Sequence, residues 1–507
     1  MRGPDAAIEA DAVTALRARA GTLSDLRRIR SLLAWDQQVK MPPSGASARG
    51  AQVATLARLE HELLTGEEVG ELLSGAAPEA EGVEADLVRA LEVDRARAAR
   101  VPVALAAELA GAATEARAAW AAAREAGRLA AFLPALERNV ALQRDYAACF
   151  PELEHPYDAL LDRYGEGDRV AEVREVLDRL RDGLVALLDE LRDGVPLDGS
   201  PLERALPQDA QRAFVGKLLA GLGMDAEGWR RDETAHPFAT GVAIGDVRIT
   251  TNSAMPGLRA LYAAIHEFGH GLYERGFDPA LARTTLDAGA SMALHESQSR
   301  LWECFVGRGA AFWDWCGPRL RAAFPRVYGD LGVEDLYRAA NAVGPSPIRI
   351  HADEVTYGLH VALRFELELA LIDGTLAVAD LADAWRERTR ALLGLDVADD
   401  RAGVLQDVHW AIGLYGYFPS YSLGNVLAGQ IWERVERELP GLDEQIERGD
   451  FAPLREWLRE HVHRHGRRRP PRELIADLVG GPVDPAPFLA HLRRKLAPLH
   501  EIEVPAR

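Results

Sequence analysis

Cysteine is scarce: Cys149, Cys304 and Cys316 are the only three in a chain of 507 residues. That is too few for a disulfide framework, and none stands in a CxxC or Cys/His spacing that would hold a structural zinc. Lysine is just as rare. Lys40, Lys217 and Lys495 stand alone, so that 56 of the 59 basic residues are arginine (59 − 3). Positive charge is in deficit overall, with 59 Lys+Arg against 78 Asp+Glu and a formal net charge of −19. A protein that coats nucleic acid needs a basic footprint, and an anionic membrane surface attracts basic segments. Neither partner is expected. No apolar run approaches the roughly 18 residues of a membrane span. The N-terminus, MRGPDAAIEADAV, carries acidic residues where a signal peptide needs an apolar core. Internal repeats and low-complexity tracts are also missing. What remains is a soluble protein of a reducing compartment, expected in the cytoplasm.

The chain itself reads mostly as helix, with 48% hydrophobic residues, enough for a large core and a deep cleft. Apolar residues recur at three and four from Ala6 to about Leu33, until Pro42 and Pro43 break the pattern. The periodicity returns at about Ala48–Leu64, at Ala85–Ala126 with a break at Pro102, and at Val170–Leu191. It returns again at Ala352–Ile372, Ala377–Leu393, Ser422–Leu439 and Phe488–Leu496. One stretch differs: HPFATGVAIGDVRITTNS, from His236 to Ser253, alternates apolar with small or polar residues. Gly245–Asp246 between its two halves fits a tight hairpin turn. The expected fold is therefore mainly α, one large helical body with a small antiparallel sheet beside a long, deep groove. No linker divides it, so residues 1–507 are expected to form a single domain. Within it the N-terminal helical part covers about 1–235, the metal-site part about 236–425 and the C-terminal helices about 426–507.

The chemistry is carried by LYAAIHEFGHGLYERG. On a helix His266 and His270 lie one turn apart on one face, where two imidazoles reach one zinc ion. Glu267, beside the first ligand, can lean over a metal-bound water as general base. A catalytic zinc needs a third protein ligand and an open position. The extended HExxHxxGxxH form is absent, because Tyr273 and Gly276 occupy its Gly and His positions. The alternative is a carboxylate from a following helix, and ASMALHESQSRLWECF supplies Glu296 and Glu303. They lie two turns apart on nearly the same face, so spacing alone leaves both open. Such a site implies metal-assisted hydrolysis, and a sheet edge just before the helix suits a peptide substrate added as a strand.

Several separated motifs resemble one known family. They are His236-Pro237-Phe238, Asp246-Val247-Arg248-Ile249-Thr250, the HEFGH helix and His295-Glu296-Ser297-Gln298. Further on come Ile348-Arg349-Ile350-His351-Ala352-Asp353 and Gly403-Val404-Leu405-Gln406-Asp407-Val408-His409-Trp410. With WDQQVKMPPSGASARG near the start, nearly the whole chain is similar to the thermostable carboxypeptidases typified by carboxypeptidase Taq, a family of HExxH zinc metallopeptidases. The resemblance implies release of C-terminal amino acids from peptides with broad specificity, by a homodimer using zinc or cobalt. It implies His266, His270 and Glu296 as ligands and Glu267 as base.

The remaining motif residues are candidates for substrate contact. A planar guanidinium suits a terminal carboxylate. Arg349 is the first choice and Arg248 the alternative, each with a structural ion pair as its plain reading. His236 and His409 can donate to substrate or oxyanion, and His409 can equally be held by Asp407. In GLYGYFPSYSLG, Tyr421 and then Tyr417 are candidate oxyanion donors. The basic run HRHGRRRPPR, from His463 to Arg472, reads as a solvated loop. An endo- or oligopeptidase on the same zinc site, or a non-catalytic peptide-binding scaffold, is the competing reading.

Overall fold

The computed structural model describes residues 11–503. The expected start of the first helix at Ala6 lies outside them. That helix spans Ala12–Val39, with the Asp11 carboxylate capping the Thr14 amide at 2.7 Å. It runs on through WDQQV before Pro42 and Pro43 end it, because a proline disfavours helix at the residue before it rather than several earlier. The break at Pro102 separates helices Val83–Arg100 and Val103–Ala126. Among the described residues no helix is long and apolar enough to cross a membrane.

Beside the helices lies, among the described residues, one small sheet. Strands β1 (Trp229–Glu233), β2 (Ala239–Ala243) and β3 (Asp246–Thr251) are ordered β1-β3-β2. The β2–β3 hairpin is the antiparallel pair expected, but its turn is Ile244–Gly245, one residue earlier than Gly245–Asp246. β1 pairs parallel with β3, from Trp229 opposite Val247 to Glu233 opposite Thr251, so the sheet is mixed rather than antiparallel. WRRDE has no alternating apolar pattern to announce a strand, and its place is set by backbone pairing with β3. DVRIT is the central strand and has no free edge. The boundary expected near residue 235 therefore falls inside the sheet.

The described residues form two hydrophobic cores. The larger runs from Ala116 to Leu496. The smaller belongs to the N-terminal helices, from Leu16 to Leu91, and is completed by Leu281 and Leu286 from far along the chain. A cavity of about 710 Å³ lies where the two meet, lined among others by Arg27, Asp94, Tyr164, Glu274 and His295. The basic run is not a solvated loop but a clasp across this junction. His463 is buried on Gln298 at 2.8 Å, Arg467 holds Asp94 at 2.9 Å and Arg468 holds Asp86 at 2.6 Å. Although burial opposes it, the Arg467 guanidinium brings the Asp94 carboxyl down to about 2.

Three helices build the functional region. The HEFGH helix spans Arg259–Gly276, the return helix Met292–Arg300, and a long helix Phe418–Glu438 covers the return helix. The return helix passes directly into a π-helical turn, Leu301–Val306. Their closeness depends on glycines. A Cβ at Gly269 would sit 2.5 Å from the Gln298 carbonyl oxygen and 2.7 Å from the Ser299 Cα; one at Gly424 would sit 2.6 Å from the Glu296 Cγ. Gly269→Ala must push the HEFGH helix and the return helix apart, since backbone cannot rotate aside. Overpacking of this kind costs about 1–3 kcal/mol. A lower urea midpoint together with reduced metal content is the expected outcome, and an unchanged midpoint would contradict the contact.

Candidate metal centre

Among the described residues, His266, His270 and Glu296 form the one group of three or more His, Cys, Asp or Glu side chains able to hold a metal, with ligand atoms within 4.8 Å of one another. The i, i+4 spacing stacks the two imidazoles on one helix face, and the glycine-tight return helix brings up the carboxylate. Nε2 of His266 lies 3.8 Å and Nε2 of His270 3.3 Å from the same Glu296 oxygen, Oε2. The other oxygen, Oε1, is buried without a hydrogen-bond partner. An orphaned buried carboxylate oxygen is costly unless a cation or donor completes it. Two imidazole nitrogens and a carboxylate are a donor set that suits a divalent ion.

The far sides of the rings are occupied, which orients the near sides. His266 Nδ1 donates to Glu303 Oε2 at 2.8 Å, and Arg300 Nη1 donates to the same oxygen at 2.8 Å. His270 Nδ1 lies 3.2 Å from the His295 carbonyl oxygen and 2.7 Å from His295 Nδ1. With Nδ1 protonated on each ring, both Nε2 lone pairs converge on the Glu296 side. The two glutamates that spacing could not separate thus flank one histidine: Glu296 faces Nε2 and Glu303 holds Nδ1. The π-helical turn re-aims Glu303 toward the far side of the ring.

Glu267 is buried between the two ligands in sequence. Burial pushes its carboxyl up to about 7, His266 opposing and Glu296 adding. A second cluster stands on the neighbouring helix Phe418–Glu438 and the loop before it. Tyr421 lies three residues before Gly424, one turn from the contact with Glu296. Its hydroxyl meets His409 Nε2 at 3.1 Å, and its ring lies edge-on to Tyr417, 5.2 Å between centroids. Burial keeps both phenols well above their ordinary range, with the Glu296 carboxylate adding to it. His409 is lowered to about 3, chiefly by burial, and is neutral.

Both candidate arginines are paired. Arg349, buried, donates from Nη2 at 2.7 Å and Nε at 3.1 Å to Asp407 Oδ1, and from Nη1 at 3.0 Å to the Tyr357 hydroxyl. Its guanidinium also lies 4.9 Å from the centre of the Tyr421 ring. Arg364 takes the other oxygen of Asp407 at 2.6 Å. Against the effect of burial, the two guanidiniums hold Asp407 well below the usual carboxylate range. Arg248 is held bidentately by Asp246 at 2.8 and 2.9 Å and lies 4.4 Å from the Trp35 ring of the first helix. His236 is exposed between β1 and β2, and its ring makes no hydrogen bond among the described residues. The structure therefore gathers Arg349, His409, Tyr417 and Tyr421 and leaves Arg248 and His236 outside that group. It adds Tyr357, Arg300, Glu274 and Asp407 as a ligand of two arginines. Glu274 was legible as the next i+4 step after His270, and Arg300 as an ion-pair partner one turn from Glu303; Tyr357 had no signal beyond lying on an apolar helix.

Comparison with known proteins gives the family. Residues 15–496 match the family model described as Carboxypeptidase Taq (M32) metallopeptidase. The chain is 42% identical over 491 residues to Thermostable carboxypeptidase 1 of Thermus thermophilus, covering 94% of this chain and 96% of the relative. It is 34% identical over 475 residues to Carboxypeptidase 1 of Bacillus subtilis, covering 93% and 95%. Among solved structures it superposes on the M32 carboxypeptidase of Deinococcus radiodurans with a TM-score of 0.92 at 39% identity, over 96% of this chain and 99% of that one. Metallocarboxypeptidase 1 of Trypanosoma cruzi gives 0.90 at 30% identity, with 96% and 99% covered. The chain belongs to the carboxypeptidase Taq family and is a divalent-metal-dependent peptide hydrolase, a carboxypeptidase.

Proposed function

We propose that the chain removes C-terminal residues one at a time, with broad specificity, and that His266, His270 and Glu296 hold zinc, with cobalt able to replace it. The observation that carries this reading is the convergence of two Nε2 atoms on one carboxylate whose second oxygen is buried and unpartnered. When bound, the ion supplies a Lewis acid for the scissile carbonyl and lowers the pKa of water.

The chain's own residues account for the proton and for the substrate's ends. Glu267 takes the proton of the attacking water and delivers it to the leaving amine nitrogen. Tyr421, kept protonated by burial, donates to the developing oxyanion. If the His409 Nε2–H donates to the Tyr421 oxygen, the phenol hydrogen is free for substrate. Tyr417, edge-on to the Tyr421 ring, is a further substrate contact. Arg349 reads the terminal carboxylate in preference to Arg248. Three of its five N–H donors are occupied by Asp407 and Tyr357, and the two left over match a carboxylate. Arg248, bound to Asp246 through Nε and Nη2, lies over the Trp35 ring of the first helix and away from Tyr421 and His409. His236, exposed beside the sheet, is a further donor to substrate.

The wider reading is of one body, a homodimer, in the cytoplasm, without nucleic-acid or membrane partners. The single body is supported by the smaller core, which closes with Leu281 and Leu286, the reducing compartment by three unpaired cysteines, the lack of polyanionic partners by the net charge of −19, and the homodimer by the family resemblance alone.

Three outcomes are expected. Glu267→Gln keeps about one metal per chain while kcat falls by about 10²- to 10⁴-fold, the usual contribution of a general base; wild-type hydrolysis would remove Glu267 from the mechanism. Amidating the C-terminus of a peptide lowers kcat/KM by about 10- to 100-fold, the worth of a charge-assisted hydrogen bond. An endopeptidase would cleave both forms alike. Exhaustive chelation abolishes hydrolysis, and stoichiometric zinc or cobalt restores it; activity surviving in metal-free protein would refute the metal requirement.

A further inference from the structure

His266, His270 and Glu274 mark one stripe of the HEFGH helix at steps of four residues. The stripe continues beyond the ligands into a chain of hydrogen bonds. His270 Nδ1–H points at His295, 2.7 Å from its Nδ1. The two rings pack with centroids 4.7 Å apart. His295 Nε2 lies 3.2 Å from Glu274 Oε1, and Glu274 Oε2 lies 3.2 Å from Arg28 Nη1. Arg28 stands on the first helix. It also donates to the Gly241 carbonyl of β2 at 2.8 Å and to the backbone carbonyl of Asp287, and pairs with the Asp287 carboxylate at 3.3 Å. Room for the Arg28–Glu274 pair exists because residue 241 has no Cβ; one there would collide with the Glu274 carboxylate.

The proton assignments run in one direction. A protonated His270 Nδ1 requires an acceptor at His295 Nδ1, which places the His295 proton on Nε2, facing the Glu274 carboxylate. Arg28, a pure donor, then satisfies the other carboxylate oxygen. The two ligand histidines are thus held from different parts of the molecule. His266 is held by Glu303, on the segment that follows the return helix. His270 is held through two side chains by the N-terminal helix.

We propose that His295 and Glu274 are positioning residues for His270, and that the Arg28–Glu274 pair makes the seating of the first helix a determinant of metal retention. This rests on the reading of His270 as a ligand. Outer partners of a metal-bound histidine govern affinity by about 10- to 100-fold when removed. Glu274→Gln is the direct test, since an amide's single carbonyl oxygen can serve His295 or Arg28 but not both.

The experiment uses the full-length zinc-loaded enzyme and follows the rate of zinc transfer to a chelator, with zinc stoichiometry and thermal midpoint recorded for each variant. Glu274→Gln and Arg28→Ala are expected to keep near one zinc per chain and to release it about tenfold faster or more. Arg27→Ala, on the same helix as Arg28, is the control: it removes pairs with Glu60 and Asp94, at 2.7 and 3.3 Å, without touching Glu274. It should release zinc at the wild-type rate even where its midpoint falls. His270→Ala should fail to hold stoichiometric zinc. Wild-type release from Glu274→Gln alongside zinc loss in His270→Ala overturns the inference and leaves the ligand reading intact. Full zinc binding by His270→Ala overturns the ligand reading itself. Release from Arg27→Ala as fast as from Arg28→Ala means general loosening of the helix and also overturns the inference.

Discussion

The centre depends on how closely two helices can approach. His266 and His270 reach one face of their helix by spacing alone, but Glu296 arrives only because the return helix lies backbone to backbone against Gly269. The same return helix is pressed from its other side by Gly424 at Glu296. A carboxylate held between two glycine contacts has little freedom to swing away. That rigidity lets a buried, half-satisfied carboxylate persist opposite two imidazoles in the absence of relaxation that would otherwise relieve it.

Electrostatics divides the surroundings into two regimes. Around His266 the charges are dense and paired: Glu303 with Arg300 and, nearby, Glu296. Around His409 and Tyr421 the groups are neutral, His409 and the phenols being held uncharged by burial. The charge there is confined to the Arg349–Asp407–Arg364 cluster behind them. Neutral donors in front of fixed charges fit a site that must stabilise an anion formed during reaction and release it afterwards.

How much of this was legible from sequence varied with range. Local periodicity gave the helices to within a few residues and the HEFGH pair outright. Spacing brought Glu296 and Glu303 forward together but could not tell them apart, because a π-helical turn changes the register of the second and no composition signal announces it. WRRDE gave no sign of being a strand, since its conformation is imposed by β3. The basic run from His463 was misread for a similar reason. Its arginines look solvated until Asp86 and Asp94, from nearly four hundred residues earlier, are placed opposite them. Long-range ion pairing leaves no periodic trace in a single sequence.

The smaller core has a consequence for synthesis. Leu16, Leu23, Leu64, Leu73 and Leu91 pack with Leu281 and Leu286, which lie on the connection between the two ligand-bearing helices. During translation the N-terminal helices are therefore made long before the residues that close them. They must wait, with apolar surface uncovered, until the segment between the helices of the metal centre has left the ribosome. The N-terminal core and the connection from the HEFGH helix to the return helix thus share one set of contacts.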